Sequence, residues 1–132
     1  MRDDITTEFS FILKPSKRGI GVFVTHNIKK GIFLRLFTDE GVRGDVIRKK
    51  SAIPKIFWGH CVDRGNGLTI TPKDFSAMPV GCYINHSKNS NAVWKNDNAY
   101  YAIRDISEGE EILTDYNFLG EPEEEKENYY KN

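Results

Sequence analysis

The stretch "GCYINHSKNSNAVW", residues 81–94, carries an apolar run directly into a polar cluster. Residues 82–84 read Cys-Tyr-Ile, and Asn85, His86 and Ser87 follow with an amide, an imidazole and a hydroxyl. An Asn side chain can recognise a purine edge because it carries both a donor and an acceptor. The other interpretation is a buried polar network that joins loops. The segment alone leaves both interpretations open.

The composition indicates one aromatic-rich domain. A chain of 132 residues is expected to form a single domain that buries roughly two-thirds of its unfolded surface. The hydrophobic share of 39% is low, but eight Phe, six Tyr and two Trp supply large apolar surfaces that can wall a pocket. The 19 basic and 19 acidic residues give a net charge of zero. Nucleic acid is therefore not expected as the main ligand, because phosphate binding needs a basic surplus.

The C-terminal end is acidic and reads "GEPEEEKENYYKN", residues 120–132. A charge run of this kind is usually a solvated face or a frayed tail. The alternative is electrostatic attraction of a basic protein substrate. Two aromatic residues in the tail, Tyr129 and Tyr130, keep the second interpretation open.

The cysteines and the N-terminal end predict an intracellular, soluble protein. Cys61 and Cys82 are too few for a disulfide scaffold. The first residues, "MRDDITTEFSF", place two acids where the apolar part of a signal peptide would begin. No apolar run approaches the roughly 20 residues of a membrane span, so no membrane partner is expected. We expect reduced thiols, in the cytoplasm or in a nucleus.

Strand-forming residues dominate the chain and predict a mostly β fold. They cluster at residues 9–13, 22–26, 31–37, 56–62 and 99–103. The sequence "DRGNG" at residues 63–67 is a hairpin signal. One short helix is expected from Thr71, with Pro72 at its first position, and Pro79 and Gly81 limit it to about two turns. Many short strands with one short helix favour a β architecture.

The sequence "KRGIGVF" contains two closely spaced glycines. Gly19 and Gly21 would let a ligand approach the backbone. A dinucleotide-binding loop is excluded, because the third glycine and the long helix that it requires are missing. A plain turn remains the alternative.

Four residues could suggest a metal site, but their spacing does not support one. His60 and Cys61 are adjacent, so on a strand they would face opposite ways, and Cys82 has no partner in a Cys-x-x-Cys pair. We predict no metal and expect both cysteines to act as small core residues. A Ser–His nucleophile is not expected either, because Ser87 directly follows His86 and no Gly-x-Ser-x-Gly elbow exists.

A last candidate segment is "GEEILTDY", residues 109–116. It ends an apolar strand with Tyr116, directly after Asp115. Taken alone, Tyr116 is either a strand-end residue with a core ring and a solvent-exposed hydroxyl, or a residue whose phenol has a chemical role.

Together these segments resemble the SET-domain protein lysine methyltransferases. That family shows, in order, a Gly-x-Gly turn, an Asn-His-Ser segment followed by a further Asn, here Asn91, and a Gly-Glu-Glu segment that ends in Tyr. The resemblance spans about residues 10–118, and the chain looks like the short stand-alone members found in bacteria and viruses. It implies several small curled sheets of the β-clip type, with the Asn-His-Ser segment passing through a loop made by the last segment as a pseudoknot. Residues 1–118 would form one SET-like domain, and residues 119–132 a tail that is disordered or acts as a lid.

The resemblance also implies a reaction, the transfer of a methyl group from S-adenosylmethionine to a lysine side chain of a protein. Tyr116 would be the catalytic residue. The implied cofactor-binding residues are Lys17, Arg18, Gly19, Ile20, Gly21, Asn85, His86 and Tyr116. The implied lysine channel is lined by Phe37, Tyr83, Trp94 and Phe118. A lysine ammonium, with a pKa of about 10.4, must lose a proton before it attacks, and an aromatic channel beside a sulfonium lowers that pKa.

The chain departs from the family pattern at several positions. Phe37 stands where many members carry Tyr, and residues 82 and 83 are Cys-Tyr in place of Arg-Phe. Lys88 and Ser90 replace the usual Cys and Pro, and the cysteine-rich zinc tail of many members is missing. Phe118 with Tyr129 or Tyr130 could replace that tail as a lid. The alternatives are a SET-like module that binds cofactor or peptide without turnover, and a purely structural β domain.

Overall fold

The computed structural model describes residues 3–17, 19–37, 45–72, 74, 75, 77–95, 99–119 and 130. Ten strands are present in these ranges: β1 Phe11–Ser16, β2 Gly19–Val24, β3 Phe33–Leu34, β4 Asp45–Lys49, β5 Val62–Gly65, β6 Leu68–Pro72, β7 Asn85–His86, β8 Ala92–Trp94, β9 Tyr100–Ala102 and β10 Leu113–Thr114. Five 3-10 helices accompany them, at Glu8–Ser10, Lys50–Ala52, Lys55–His60, Val80–Tyr83 and Tyr116–Phe118. None of these helices has the length and apolar character that a bilayer crossing needs. The mostly β fold class is confirmed.

The strands form four small sheets. An antiparallel hairpin pairs β1 with β2, and two three-stranded antiparallel sheets have the orders β3-β9-β8 and β4-β6-β5. The fourth sheet pairs β7 with β10 in parallel. The hairpin expected at residues 63–67 is confirmed, because Asn66 and Gly67 between β5 and β6 have φ angles of 55° and 73°. Positive φ angles of this kind match the twist of the flanking strands.

Two expected elements are wrong in type. Thr71 does not cap a helix: it pairs with Val46 inside the β4–β6 ladder, and its hydroxyl donates to the carbonyl of Pro72 at 3.0 Å. Residues 56–62 were expected as a strand, but Lys55–His60 is a 3-10 helix. Pro54 precedes it with φ near −57°, and Trp58 Nε1 donates back to the carbonyl of Ile53 at 2.9 Å. These local bonds outweigh the strand propensity of the aromatic side chains.

The pairing of β7 with β10 joins two segments that lie far apart in the chain. Leu113 lies opposite Asn85, and Thr114 lies opposite His86. Fully buried Asn91 extends the contact, because its Nδ2 donates to the carbonyl of Glu111 and its Oδ1 accepts from the N–H of Leu113, both at 2.8 Å. A buried amide satisfied on both sides holds these two segments together.

The hydrophobic core surrounds this crossing. Its buried members are Phe11, Val22, Val24, Ile28, Leu34, Leu36, Phe37, Ile84, Ala92, Tyr100, Ala102, Ile106 and Ile112. Ile84 and Ile112 lie one residue before the segments that carry the polar cluster and Tyr116, and each buried side chain of this size stabilises the fold by about 1.5–3 kcal/mol. The described part of this cluster includes no residue of β4, β5 or β6. The sheet β4-β6-β5 therefore packs outside the core that supports the crossing.

Candidate active site

A pocket of about 610 Å³ opens where the crossing meets the β1–β2 hairpin. Two groups of its lining residues are defined by contacts among themselves. Asn85 bonds to Ile20, next to Gly19, and Tyr116 bonds to Ile84, next to Asn85; we call Gly19, Ile20, Asn85 and Tyr116 the Asn85 side. His60 contacts Cys82 and Tyr83, and together with Gly59 these residues form the His60 side. The volume suits a small-molecule ligand, since such pockets span about 300–1,000 Å³. The structure thus brings the first glycine of the pair, the amide and the phenol of the sequence pattern to one pocket.

The Asn85 side chain is held by three acceptors from distant segments. Its Nδ2 lies 3.0 Å from Ser16 Oγ, 3.1 Å from the carbonyl of Ile20 and 2.8 Å from Glu111 Oε2. The carbonyl of Ile20 and the carboxylate of Glu111 can only accept. The nitrogen of the amide is therefore the atom that faces them, and Oδ1 lies on the other branch of the amide.

The carboxylate of Glu111 occupies the space beside Gly21. A Cβ built at Gly21 would lie 2.9 Å from the carboxyl carbon of Glu111, closer still to its Oε2, and 3.1 Å from the Cβ of Ser16. Gly19 differs, because its φ of 98° favours glycine while a Cβ there would meet nothing within 4 Å. Glycine is thus favoured at position 19 by the backbone conformation and at position 21 by the lack of space for a side chain.

Tyr116 is fixed through both its backbone and its phenol. Its hydroxyl donates to the carbonyl of Ile84 at 2.6 Å, one residue before Asn85. Its backbone N–H donates to His86 Nδ1 at 3.0 Å, which makes Nδ1 the acceptor and leaves the ring proton on Nε2 in the neutral imidazole. His86 is only 6% exposed, and its ring centroid lies 5.2 Å from that of Tyr116.

Tyr130 packs onto this pair from the C-terminal end of the chain. Its ring centroid lies 5.1 Å from that of Tyr116, edge to face, and 5.5 Å from that of His86. The residue is 5% exposed, and its carbonyl accepts from Asn117 Nδ2 at 2.9 Å. Tyr129, the other aromatic residue of the tail, lies outside the described residues.

The four residues expected in the lysine channel occupy different environments. Tyr83 lines the pocket and makes an edge contact with His60, at 5.2 Å between centroids. Phe37 is buried and fills the space beside Gly81, where a Cβ would lie 2.5 Å from the Cζ of its ring. Trp94 packs against the core, and its indole N–H is buried without a hydrogen-bond partner in the described structure. Phe118 is 69% exposed on the surface.

Of the described residues, Lys17 and the two cysteines do not line the Asn85 side of the pocket. Lys17 is exposed at the end of the β1–β2 hairpin, and Arg18 lies outside the described residues. Cys61 and Cys82 are partly buried and reduced, and the Sγ of Cys61 donates to the carbonyl of Phe57 at 3.3 Å. The described residues contain no group of three or more His, Cys, Asp or Glu side chains placed to share a metal ion.

Sequence reasoning missed His60 and Gly59 as pocket residues. His60 Nδ1 lies 3.0 Å from the carbonyl of Cys82, so Nδ1 carries a proton and Nε2 is the acceptor in the neutral ring. The residue was considered only as a metal ligand on a strand. No signal in residues 56–62 separates a strand from a 3-10 helix, and the helix is what presents the imidazole to the pocket.

Comparisons with known proteins agree with this fold. A proposed histone methyltransferase of Plasmodium falciparum superimposes with a TM-score of 0.53 at 23% identity, over 79% of this chain and 90% of that one. The methyltransferase domain of human PR domain-containing protein 2 gives a TM-score of 0.50 at 25% identity, over 80% of this chain and 75% of that one. No curated protein matches by sequence. The family model described as "SET domain" matches residues 19–117, from the first glycine of the pair to the residue after Tyr116, and the chain belongs to the SET-domain family.

Proposed function

We propose that the protein transfers a methyl group from S-adenosylmethionine to the side-chain amine of a lysine in a protein substrate. The observation that carries this proposal is the link between Asn85 and Tyr116. The phenol donates to the carbonyl of Ile84, which directly precedes the amide, and both side chains line one pocket with Gly19 and Ile20. Membership of the SET-domain family and the methyltransferase names of two structural relatives support a methyltransferase.

The Asn85 side fits the proposed cofactor. A cofactor with an α-ammonium and a sulfonium needs acceptors and close backbone, and this side offers the second branch of the Asn85 amide and the open backbone of Gly19. When bound, the cofactor supplies an activated methyl group on sulfur. Ile20 and Tyr116 would hold the amino-acid end and the methyl end against solvent.

The hydrogen bond of Tyr116 defines what its phenol can do for an incoming amine. Because the phenolic proton is directed to the carbonyl of Ile84, the oxygen keeps its lone pairs for another donor. A lysine amine that donates one N–H to this oxygen has its own lone pair turned in a fixed direction. Alignment of an attacking atom with the bond that breaks can supply several kcal/mol of the barrier. We therefore assign Tyr116 the role of orienting the neutral amine.

The His60 side would receive the lysine. The aromatic ring of Tyr83 and the partly buried wall around Cys82 provide a weakly polar environment, which favours the neutral amine over the ammonium. A neighbouring sulfonium acts in the same direction by like-charge repulsion. The proton leaves to solvent before attack, so the chain needs no dedicated base for this step.

The ring of Tyr130 would complete the site as part of a lid. It packs edge to face on Tyr116 and at a tilted angle on His86, which restricts both rings. Phe118, the other described candidate for the lid, lies on the surface. The division into a domain of residues 1–118 and a tail of residues 119–132 remains a prediction.

The test is a Tyr116→Phe variant assayed with labelled cofactor and a peptide pool, with the modified residue identified by mass spectrometry. We expect kcat to fall by about 10²-fold or more, as is usual when one group that orients or assists proton movement is lost, while Kd for the cofactor changes little. Tyr101→Phe is the matched control, because the Tyr101 ring packs against Phe33 at 5.8 Å and does not line the pocket. Unchanged turnover in Tyr116→Phe would refute the assignment.

A second candidate function is a module that binds cofactor or a basic peptide without turnover. The observation that favours it is Phe37, which lacks a hydroxyl and is buried beside Gly81 and stacked on Tyr100. The same labelled assay separates the two functions. Label on lysine supports the enzyme, and cofactor binding without transfer supports the module.

A further inference from the structure

Glu111 lies directly behind the Asn85 amide and is fixed from two directions. Its main chain forms an isolated antiparallel bridge with Phe23, and its carbonyl accepts from Asn91 Nδ2 at 2.8 Å. Its carboxylate reaches Asn85 Nδ2 at 2.8 Å and fills the space that a side chain at position 21 would need. The main chain of Glu111 is therefore held in place, and the side chain extends from it to Asn85.

The neighbouring Glu110 shows that this placement is specific. Glu110 turns the other way, where its carboxylate accepts from the backbone N–H of Ser107 at 2.9 Å and from Arg104 at 3.1 Å. Adjacent residues in an extended chain face opposite sides, so Glu110 binds the turn at Ser107 and Glu111 binds Asn85 at the pocket. The pair gives a natural comparison within two positions of sequence.

We infer that Glu111 is a positioning residue that fixes the orientation of the Asn85 amide, with Nδ2 toward Glu111 and Oδ1 on the other side. The oxygen and nitrogen branches of an amide have nearly the same shape, so packing alone does not choose between them. A carboxylate accepts only, and a charge-assisted hydrogen bond is about twice as strong as a neutral one. Glu111 thus holds Nδ2 and keeps Oδ1 as the acceptor for a cationic group in the pocket.

This inference rests on the proposed function, because the cationic group it names is the α-ammonium of the cofactor. Without Glu111, the carbonyl of Ile20 and the hydroxyl of Ser16 are the acceptors left for the amide nitrogen. The hydroxyl of Ser16 can also donate, so it is compatible with either orientation of the amide, and only the neutral carbonyl of Ile20, at 3.1 Å, would then oppose the flipped one. Part of the population would then offer an N–H to the ammonium, and the cofactor would bind more weakly.

The experiment measures Kd for S-adenosylmethionine by calorimetry in five variants. These are Glu111→Ala, Glu111→Gln, Asn85→Ala, the double variant Glu111→Ala/Asn85→Ala, and Glu110→Ala as the matched control. We expect Glu111→Ala to weaken binding about 10-fold, the effect of one charge-assisted hydrogen bond. Glu111→Gln keeps the size of the side chain, but its amide can donate as well as accept, so it should weaken binding nearly as much as Glu111→Ala. The double variant should bind no more weakly than Asn85→Ala, because Glu111 acts through that amide.

Three results would overturn the inference. They are wild-type affinity in Glu111→Ala, a double variant whose loss equals the product of the two single losses, and an equal loss in Glu110→Ala. If Glu111→Ala does not fold, Glu111→Gln with and without Asn85→Ala gives the same test of non-additivity. Cofactor binding by the wild type without methyl transfer would refute the proposed function alone, since the inference is measured on Kd. A wild type that binds no cofactor would refute both.

Discussion

The two sides of the pocket are built in different ways. On the Asn85 side, one amide is held by Ser16, Ile20 and Glu111, whose positions differ from it by 69, 65 and 26 residues. On the His60 side, the imidazole has one bond to the carbonyl of Cys82 and one edge contact with a ring. The helix that carries it contains no buried residue. Three hydrogen bonds from three segments fix the first side, whereas the imidazole of the second side has one hydrogen bond and one ring contact, and its helix lies near the surface.

This difference suggests a division of labour. A cofactor is the same molecule in every turnover, so its side gains from side chains that are held in one orientation. A protein substrate is met from outside, and surface loops on a rigid scaffold are where such specificity usually resides. The two sides of the pocket should therefore differ in their tolerance to substitution.

The largest effect is expected at Gly21. A Cβ in Gly21→Ala would push the carboxylate of Glu111 aside, because that carboxylate occupies the space of the new atom. The glutamate side chain is flexible, so the free energy of unfolding should fall by only about 1 kcal/mol. Its departure from Asn85 should weaken cofactor binding by about 10-fold or more, measured as Kd by calorimetry.

Gly59→Ala is the control on the other side of the pocket. A Cβ at Gly59 meets nothing within 4 Å, so we expect cofactor affinity and unfolding free energy to stay at wild-type values, within about 0.5 kcal/mol. The double variant Gly21→Ala/Glu111→Ala should bind no more weakly than Glu111→Ala. Equal losses in the two glycine variants would show that the two sides do not differ.

A smaller effect is expected at His60, on KM for the substrate and not on Kd for the cofactor. Loss of the imidazole in His60→Ala removes one pocket acceptor and the edge contact with Tyr83, so KM for a lysine substrate should rise about 3- to 10-fold, the range of one neutral hydrogen bond. Kd for the cofactor should not change. Steady-state kinetics with varied peptide give KM, and calorimetry gives Kd.

His60→Phe separates the two contributions of this residue. It keeps a ring beside Tyr83 but has no ring nitrogen. A KM as high as that of His60→Ala would assign the effect to hydrogen bonding, and a KM near the wild-type value would assign it to ring packing. A loss of cofactor affinity in either variant would contradict the separation of the two sides.

The sequence predicted the Asn85 side better than the His60 side, for a physical reason. The glycine pair, the amide and the phenol are residue types with narrow chemical uses, and their order along the chain is visible without coordinates. The position of His60 depends on whether residues 56–62 form a strand or a 3-10 helix. Strand-forming side chains such as Ile56 and Phe57 favoured the wrong element, since the local bonds of Pro54 and Trp58 do not appear in propensity.

The carboxylate of Glu111 was beyond sequence reasoning for another reason. Glu110 and Glu111 are identical in type and adjacent, so nothing in the sequence tells which one faces the pocket. The choice is made by the main-chain bridge between Phe23 and Glu111, a contact across 88 positions that fixes which face each glutamate presents. The sequence pattern does not show which distant segments pair, and that pairing decides which glutamate faces the pocket.

The smallest effect is expected at Glu110, which serves neither side of the pocket. The hydrogen bond from the backbone of Ser107, aided by the guanidinium of Arg104 and opposed by partial burial, lowers the pKa of Glu110 below its usual value. A carboxyl whose pKa is lower in the folded state stabilises the fold above its unfolded pKa, and this stability is lost as pH falls through the folded pKa. The side chain is 35% exposed, so solvent limits the contribution to about 0.5 kcal/mol.

In Glu110→Gln, the free energy of unfolding should therefore fall less between pH 7 and pH 3 than in the wild type, and Kd for the cofactor should not change. Urea denaturation at a series of pH values between 7 and 3 measures the effect, as the difference between variant and wild type in unfolding free energy. That difference should be present at pH 7 and vanish at the acid end, where the wild-type carboxyl is protonated and no longer gains from Ser107 and Arg104. A difference that stays constant with pH would mean that the charge of Glu110 contributes nothing. A change in Kd would mean that this turn is coupled to Asn85 after all, and the contrast between the two glutamates would fail.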